Sequence, residues 1–270
     1  MDITKLIGTH DVLFITLDTL RHDVAVSCLE DGRIPFLASL LPQSKWEERH
    51  TPGSFTYSAH HAFFAGFLPT PTTPGPHPRM FAAEFPGSET TNSTTFVYDA
   101  PTWVEGLRQA DYHTICIGGV GFFNRMTALG RVLPDLFDES HWSPELGVTC
   151  ADSTENQVDL ACESVARVPH GKRLFLFLNV SAIHQPNCLY VTEAEEDSVE
   201  TQAAALEYVD RCLPPLFAAL RKRGNTLCLI CSDHGTAYGE DGYMGHRISH
   251  PVVWTVPYAE FCLNQNGAEI

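Results

Sequence analysis

The sequence predicts an α/β fold in which a doubly wound, mostly parallel sheet carries helices on both faces. Short, continuous apolar runs have the length and composition of buried parallel strands. The stretches between these runs carry apolar residues at the 3–4 spacing of amphipathic helices. Because strand and helix patterns alternate along the chain, parallel pairing through helical crossovers is favoured.

The predicted elements follow this alternation. The apolar runs predict strands over Val12–Leu17, Trp46–His50, His113–Gly118, Arg173–Val180 and Thr226–Cys231. The helical patterns cover Ile34–Leu41, Ser58–Ala65, Pro101–Ala110, Glu155–Val168 and Ser198–Arg223. Pro101 suits the first turn of its helix, and Pro214-Pro215 predicts a kink or a division in the longest one.

The length of 270 residues predicts a single domain over residues 1–270. One stretch, at about residues 69–95, is rich in Pro, Thr, Ser and Gly and lacks periodicity. It predicts a long surface loop. A lid over the functional site and an inert excursion are both open interpretations of this loop.

The amino-acid composition limits the possible binding partners and suggests a cellular compartment for the protein. The formal charge is −16, and no basic cluster offsets it, which argues against nucleic acid and anionic membranes as partners. No apolar segment approaches the roughly 18 residues of a membrane span, and the polar N-terminus lacks a secretory signal pattern. The nine cysteines fall mostly in apolar patterns, which favours reduced, buried thiols and a cytoplasmic location. Cys228 and Cys231 would point to opposite faces of their strand, so a core role is predicted for both.

Acidic and imidazole side chains follow two of the apolar runs. Asp18 follows the first run, and Asp233 and His234 come directly after Ser232 at the end of the last one. Parallel strands present their carboxyl ends at one edge, where α/β enzymes keep their sites. Two carboxylates and an imidazole gathered there could hold a divalent metal.

Four segments of the chain form a recognisable set. They are Asp18-Thr-Leu-Arg21-x-Asp23, Thr56-Tyr-Ser-Ala-His-His-Ala-Phe-Phe-Ala-Gly66-Phe-Leu-Pro69, His184-Gln-Pro186 and Ser232-Asp-His-Gly235. They occur in the order seen in the alkaline phosphatase superfamily. The chain most resembles the sulfatase-like and phosphoethanolamine-transferase-like branches of that superfamily, over about Asp11 to Pro257. The family's C-terminal subdomain would be short or absent.

The resemblance implies roles for individual residues. It places Asp18, Asp233 and His234 on the metal, and it places the nucleophile ten positions before Gly66, at Thr56, which would also touch the metal. It further implies that His184 and His246 face the substrate as catalytic residues or take part in a second metal site. A protonated His246 could neutralise a phosphoryl oxygen or protonate a leaving group. Runner-up nucleophiles are Ser54 and Ser58, and weaker site candidates are His60, His61 and His250.

Departures from the sulfatase pattern favour a different reaction. A sulfatase needs Cys or Ser at the nucleophile position for conversion to formylglycine, and Thr56 cannot be converted. Two residues after the nucleophile, where a sulfatase has Pro or Ala, this chain has Ser58, and four residues after it, where a sulfatase has Arg, it has His60. Sulfatases also carry two adjacent acids after the first strand, whereas Asp18 is followed by Thr19, as in phosphotransferase-like relatives. The prediction is a metal-dependent hydrolase or transferase that acts on a small-molecule phosphate ester, either monoester or diester. Zn²⁺ is the expected metal, with Mn²⁺ or Ca²⁺ as alternatives. One ion is favoured, and a second stays open.

Other interpretations remain at this stage. The chain could be a non-catalytic sulfatase-fold protein that binds a ligand or partner, or a sulfatase-like hydrolase of another substrate. Arg21 and Asp23 could contact substrate or form a structural ion pair. Asp210 has the spacing of a solvated acid on a helix face. The oligomeric state is not predicted.

Overall fold

The computed structural model describes residues 2–66, 81–82, 96–97 and 101–264. Most of the predicted loop at 69–95 therefore lies outside the described residues. The strands, in chain order, are β1 (Asp11–Leu17), β2 (Glu47–His50), β3 (Phe81–Ala82), β4 (Phe96–Val97), β5 (Tyr112–Ile117), β6 (Glu139–His141), β7 (Arg173–Val180), β8 (Thr226–Cys231), β9 (Ala237–Tyr238), β10 (Met244–Gly245) and β11 (Thr255–Leu263).

The helices surround the sheet. They are α1 (His22–Glu30), α2 (Pro35–Leu40), α3 (Thr56–Ala65), α4 (Trp103–Gln109), α5 (Leu129–Val132), α6 (Ser153–Arg167), α7 (Val199–Cys212), α8 (Pro214–Arg223) and α9 (Pro251–Trp254). Among the described residues, none of these helices combines the length and hydropathy needed to cross a membrane.

Seven strands form the central sheet in the order β2-β11-β8-β1-β7-β5-β6. The five strands from β8 to β6 are mutually parallel, and β11 runs antiparallel to both β8 and β2. Every residue of β1 is buried, as expected for a central strand covered on both faces. The prediction of a mostly parallel sheet is confirmed.

Helices cover both faces of this sheet, each over its own apolar core. On one face Leu13 and Ile15 of β1 pack in a core to which α1, α2, α6, α7 and α8 contribute. On the other face Val12 and Phe14 pack with residues of α3 and α4. Alternate residues of β1 thus enter opposite cores, and the doubly wound prediction is confirmed.

The boundaries of some elements, but not of all, were predicted correctly from the local sequence pattern. Strands β7 and β8 begin and end where predicted, and the longest predicted helix is divided, with Pro214 opening α8. Pro101 lies outside α4, because Thr102 caps that helix and forms a capping box with Glu105. Helix α1 and strands β6 and β11 were not predicted. Strand β11 contains Pro257 and is only partly buried, so it lacks the continuous apolar pattern of a central strand.

Two further predictions about individual residues have clear outcomes. Cys228 and Cys231 are buried in the two different cores, which confirms their core role. The prediction of a solvated Asp210 is wrong. This carboxylate is buried and accepts hydrogen bonds from the backbone N–H groups of Phe36 and Leu37, at 3.1 and 2.7 Å. It therefore caps the first turn of α2 from a neighbouring helix.

A buried ion pair ties the amino-terminal edge of the sheet to α8. The Nε of Arg223 donates to the carboxylate of Asp11 over 2.7 Å, and both side chains are at most 5% exposed. The guanidinium also donates to the backbone carbonyl of Val168, and Asp11 accepts from the backbone N–H of Leu174. The half-exposed Arg173 also lies 3.7 Å from Asp11. Removing Arg223 therefore takes away the short, buried ion pair and leaves Asp11 with a longer and more solvated one.

We expect Arg223→Met to lower the free energy of unfolding by about 3 kcal/mol, because the buried Asp11 would lose its closest counterion and keep only the longer contact with Arg173. The control is Arg211→Met, at a side chain that is 66% exposed. It should change the value by less than about 0.5 kcal/mol. Urea denaturation of both variants checks this expectation, and equal losses would contradict it.

Candidate active site

The candidate site lies where three adjacent parallel strands end. Asp18 follows β1, while Asp233 and His234 follow β8, which is the neighbour of β1 on one side. Asn179 lies near the end of β7, the neighbour on the other side. Residues that are up to 216 positions apart in sequence therefore meet because parallel strands end at one edge of the sheet.

Two carboxylates and one imidazole form a buried cluster at this edge. Asp18, Asp233 and His234 are each 0% exposed, and one potential ligand atom from each lies within 4.8 Å of the others. Among the described residues, neither Oδ1 of Asp18 nor Oδ2 of Asp233 has a hydrogen-bond partner. An unpaired buried carboxylate oxygen is costly unless a cation or a proton compensates it. The donor set of two oxygens and one nitrogen therefore fits a divalent metal.

Burial also raises the pKa values of both carboxyl groups. The pKa of Asp18 rises to about 6, first through desolvation and then through the nearby charge of Asp233. Desolvation raises the pKa of Asp233 to about 7, against hydrogen bonds from the backbone N–H groups of Thr19 and His234. Two such groups side by side hold protons near neutral pH until a cation replaces them.

His234 presents one ring nitrogen to the cluster. Its Nδ1–H donates to the carbonyl of Gly235 over 2.9 Å, so that Nε2 carries the lone pair. That Nε2 lies 3.4 Å from Oδ2 of Asp233 and 3.4 Å from Oγ1 of Thr56. Desolvation lowers the pKa of His234, so the ring is neutral and able to act as a ligand.

Gly235 is required in this turn by close packing. A Cβ atom added there would lie 1.9 Å from the carbonyl oxygen of Val252. The backbone N–H of Gly235 also donates to the carbonyl of Val253 over 2.7 Å. The Asp-His-Gly segment is thus held against α9, at a distance that leaves no room for a larger residue at position 235.

Thr56 is the first residue of α3, and its side chain is almost fully buried beside the cluster. Phe55 precedes it in an extended conformation, and the helix ends at Gly66 in the left-handed region with φ 74°. The amino-terminal turn of a helix favours negative charge, such as that of an incoming oxyanion. The hydroxyl of the runner-up Ser58 donates instead to the carbonyl of Phe55 over 3.0 Å.

A cavity of about 420 Å³ opens beside Thr56. His184, His246 and Arg247 line one part of it, and the remaining wall is largely apolar, with Val120, Phe122, Leu129 and Val148. A cavity of this size and character suits a small molecule.

The two cavity histidines pack near the cluster. The ring of His246 has its centroid 4.6 Å from that of His234 and 5.7 Å from that of His184. Nδ1 of His184 donates to the carbonyl of Gln185 over 2.6 Å. Desolvation and the neighbouring His234, His184 and Arg247 lower the pKa of His246 to about 3. His246 is therefore neutral in the free protein, and a protonated His246 would need the negative charge of a substrate beside it.

An ion-pair cluster holds the segment that leads to His246. Arg21, whose side chain is 5% exposed, pairs with Asp23 and with Glu240. Glu240 also accepts a hydrogen bond from the backbone N–H of Tyr238 over 2.6 Å. Arg21 and Asp23 thus form the structural ion pair, and Glu240 extends it to the loop between β9 and β10.

The weaker candidates have different positions. His60 is fully buried next to Thr56. His250 caps α9 by accepting from the backbone N–H of Val252 and lies 3.2 Å from Asp241. His61 is partly buried, in a tilted contact with the ring of Tyr57. The backbone carbonyl of Ser54 accepts a hydrogen bond from the backbone N–H of Arg247 over 2.8 Å.

Sequence reasoning missed Arg247 and Asn179. Asn179 is a fully buried amide inside an otherwise apolar strand, and that contrast was a usable signal, because buried polar groups need specific partners. Arg247 had no such signal. Only the folded chain shows that it lines the same cavity as Thr56.

Solved structures share this fold at low sequence identity. The C-terminal periplasmic domain of phosphoethanolamine transferase EptC from Campylobacter jejuni has a TM-score of 0.63 at 14% identity, over 96% of this chain and 81% of that one. The corresponding EptC domain from Escherichia coli, in complex with Zn, has a TM-score of 0.63 at 12% identity, over 96% and 75%.

A third similar structure is an integral membrane protein, the lipooligosaccharide phosphoethanolamine transferase A (EptA) from Neisseria meningitidis. Its TM-score is 0.65 at 14% identity, over 95% of this chain and 48% of that one. The chain therefore spans about half of that protein. The prediction of a cytoplasmic location is wrong, because two of these three neighbours are periplasmic domains and the third is an integral membrane protein.

No curated protein matches the sequence. The family model described as Sulfatase matches residues 10–258, which include β1, the whole candidate site and the start of β11. The chain belongs to the sulfatase family, as its resemblance to the alkaline phosphatase superfamily predicted.

Proposed function

We propose that the protein is a metal-dependent hydrolase or transferase that acts on a small-molecule phosphate ester, with Thr56 as the nucleophile. One observation carries this proposal. The Thr56 hydroxyl lies at a helix amino terminus, 3.4 Å from a neutral imidazole that belongs to a buried cluster with two carboxylates.

The residues that would hold the metal are Asp18, Asp233 and His234, with the hydroxyl of Thr56 beside them. When bound, a divalent ion would lower the pKa of the hydroxyl and polarise a phosphoryl oxygen. We favour Zn²⁺ for this donor set, and the oxygens also admit Mn²⁺ or Ca²⁺. One ion is proposed, because among the described residues these three form the single group of close potential ligands.

The proposed reaction proceeds in two displacement steps at phosphorus. Thr56 Oγ1 forms a bond to phosphorus as its hydroxyl proton passes to water, and the bond from phosphorus to the leaving oxygen breaks. The leaving oxygen takes up a proton from water in the cavity, beside the rings of His184 and His246. Water or an acceptor alcohol then attacks the phosphorus of the phosphothreonine, the bond from phosphorus to Oγ1 breaks, and the proton of the attacking group is transferred to Thr56. Hydrolase and transferase differ only in this second attack.

The surroundings of the cavity support an anionic substrate with a non-polar part. Arg247 supplies a positive charge to the cavity of a protein whose formal charge is −16. The apolar wall formed by Val120, Phe122 and Leu129 would contact the remainder of the ester. Sulfatase chemistry is disfavoured because Thr56 cannot become formylglycine. The names of the EptC neighbour from Campylobacter jejuni and the EptA neighbour from Neisseria meningitidis, both phosphoethanolamine transferases, support phosphoryl chemistry.

We expect Thr56→Ala to lower kcat for phosphate monoesters or diesters by at least about a thousandfold, because no other hydroxyl takes its place. Thr56→Ser should keep part of the activity, and Ser58→Ala is the matched control in the same helical turn. Turnover of nitrophenyl phosphates measures the rates, and intact-protein mass spectrometry detects the phosphothreonine. Wild-type turnover in Thr56→Ala would reject the nucleophile. A wild-type protein that binds metal but turns over no ester would favour a binding protein.

Metal binding should depend steeply on pH. The pKa values of the Asp18 and Asp233 carboxyl groups are raised, so the folded apoprotein binds the protons of these two groups more tightly than the unfolded chain does. The free energy of unfolding of the apoprotein therefore falls as the pH rises from about 4 to 7. Zn²⁺ must displace the same protons. We therefore expect zinc affinity to increase over this range, with about two more protons released at pH 5.5 than at pH 8.

Isothermal titration in buffers of different ionisation enthalpy measures these protons. In Asp233→Asn the number of protons released on zinc binding should differ by only about one between pH 5.5 and pH 8, because a single carboxyl group with a raised pKa remains. Equal proton release at both pH values in the wild type would contradict the assignment of Asp18 and Asp233 as ligands.

A further inference from the structure

We infer that His60 is a positioning residue, which holds the first turn of α3 so that the Thr56 hydroxyl faces the cluster of Asp18, Asp233 and His234. This inference rests on the proposed function of Thr56. It assigns His60 no proton transfer and no contact with substrate. Its role would be to connect the backbone of the nucleophile to the strands that carry the metal ligands.

His60 is held rigidly within an aromatic cage. The ring is 0% exposed, and the centroids of four phenylalanine rings lie 5.3 to 6.2 Å from its own. The cage is formed by Phe63, Phe64, Phe123 and Phe177. An imidazole enclosed in this way cannot reorient without losing dense packing.

Both ring nitrogens of His60 have partners that belong to the site. Nδ1 lies 2.7 Å from the backbone carbonyl oxygen of Thr56, which can only accept, so Nδ1 carries the hydrogen. Nε2 then carries the lone pair and accepts from the hydroxyl of Thr16 over 3.0 Å. Desolvation lowers the pKa of His60 to about 3, so the ring stays neutral and this donor pattern persists.

The chain of hydrogen bonds continues to a metal ligand. The hydroxyl of Thr16 accepts from Nδ2 of Asn179 over 3.2 Å, and the same amide donates to Oδ2 of Asp18 over 2.9 Å. Thr16 and Asn179 are register partners on β1 and β7, which fixes their separation. Each donor and acceptor in the path from Thr56 through His60, Thr16 and Asn179 to Asp18 is used once.

Asn179 also fixes one wall of the cavity. Its Oδ1 accepts from the backbone N–H groups of Gly119 and Val120 over 3.2 and 3.1 Å. Hydrogen bonds that meet at the buried amide of Asn179 therefore hold the nucleophile, a metal ligand and the cavity wall in fixed positions relative to one another. Since a displacement of about 1 Å can cost about a hundredfold in rate, a network of this kind would act on kcat.

Two replacements of His60 separate its hydrogen bonds. In His60→Asn the amide can occupy the place of Nδ1 and keep the bond to Thr56, while in His60→Gln it reaches the place of Nε2 and loses that bond. We expect His60→Gln to lower kcat by about a hundredfold with little change in KM, and His60→Asn to recover most of that loss. His61→Asn, in the same helix, is the matched control and should leave kcat unchanged.

Cobalt binding supplies a readout that does not depend on turnover. The visible spectrum of bound Co²⁺ should differ between the wild type and Thr56→Ala, because the hydroxyl lies next to the ligand cluster. The His60→Gln spectrum should shift to that of Thr56→Ala, while His60→Asn should resemble the wild type. Thr16→Val, which removes the partner of Nε2, gives a second variant if His60→Gln folds poorly, and its kcat should fall by about tenfold.

The outcomes distinguish failure of the inference from failure of the proposed function. If Thr56→Ala is inactive while folded His60→Gln keeps the wild-type kcat and cobalt spectrum, His60 does not position the nucleophile. Equal losses in His60→Asn and His60→Gln that follow their melting temperatures would show a structural role only. Wild-type turnover in Thr56→Ala would instead reject the nucleophile, and the inference with it.

Discussion

The proximity of two buried carboxylates, Asp18 and Asp233, is the constraint on which the rest of the site depends. Each keeps one oxygen without a hydrogen-bond partner among the described residues, and burial raises the pKa of both. Such a pair is unfavourable unless a cation is bound or protons are retained. Parallel strands β1 and β8 impose the proximity, and the neutral His234 adds a ligand without adding charge.

The charges around this pair explain why a metal is central to the proposed function. His60, His234 and His246 all have lowered pKa values, so the rings nearest to the nucleophile are neutral in the free protein. Arg247 is the cation that lines the described part of the cavity. A phosphate ester that approaches two carboxylates would be repelled without a further positive charge, and a dication in the cluster would reverse the sign of the local field.

The sequence was most informative where burial on both faces or a motif constrained it. Strands β7 and β8 were predicted to the residue because central parallel strands are continuously apolar, and the motifs placed Asp18, Thr56, Asp233 and His234 in one site that the structure brings together. The roles of His60 and Asn179 were not predictable, because they arise from contacts between distant strands and a helix. Strand β11 was missed since its edge pattern is interrupted by Pro257, and composition alone misled on the compartment.

Anomalous X-ray diffraction from crystals soaked in Zn²⁺ tests the metal centre most directly. We predict a single strong peak within bonding distance of Asp18, Asp233 and His234, with the Thr56 hydroxyl directed at it. A fully occupied ion elsewhere, with these three side chains unliganded, would contradict the metal centre and with it the activation of Thr56.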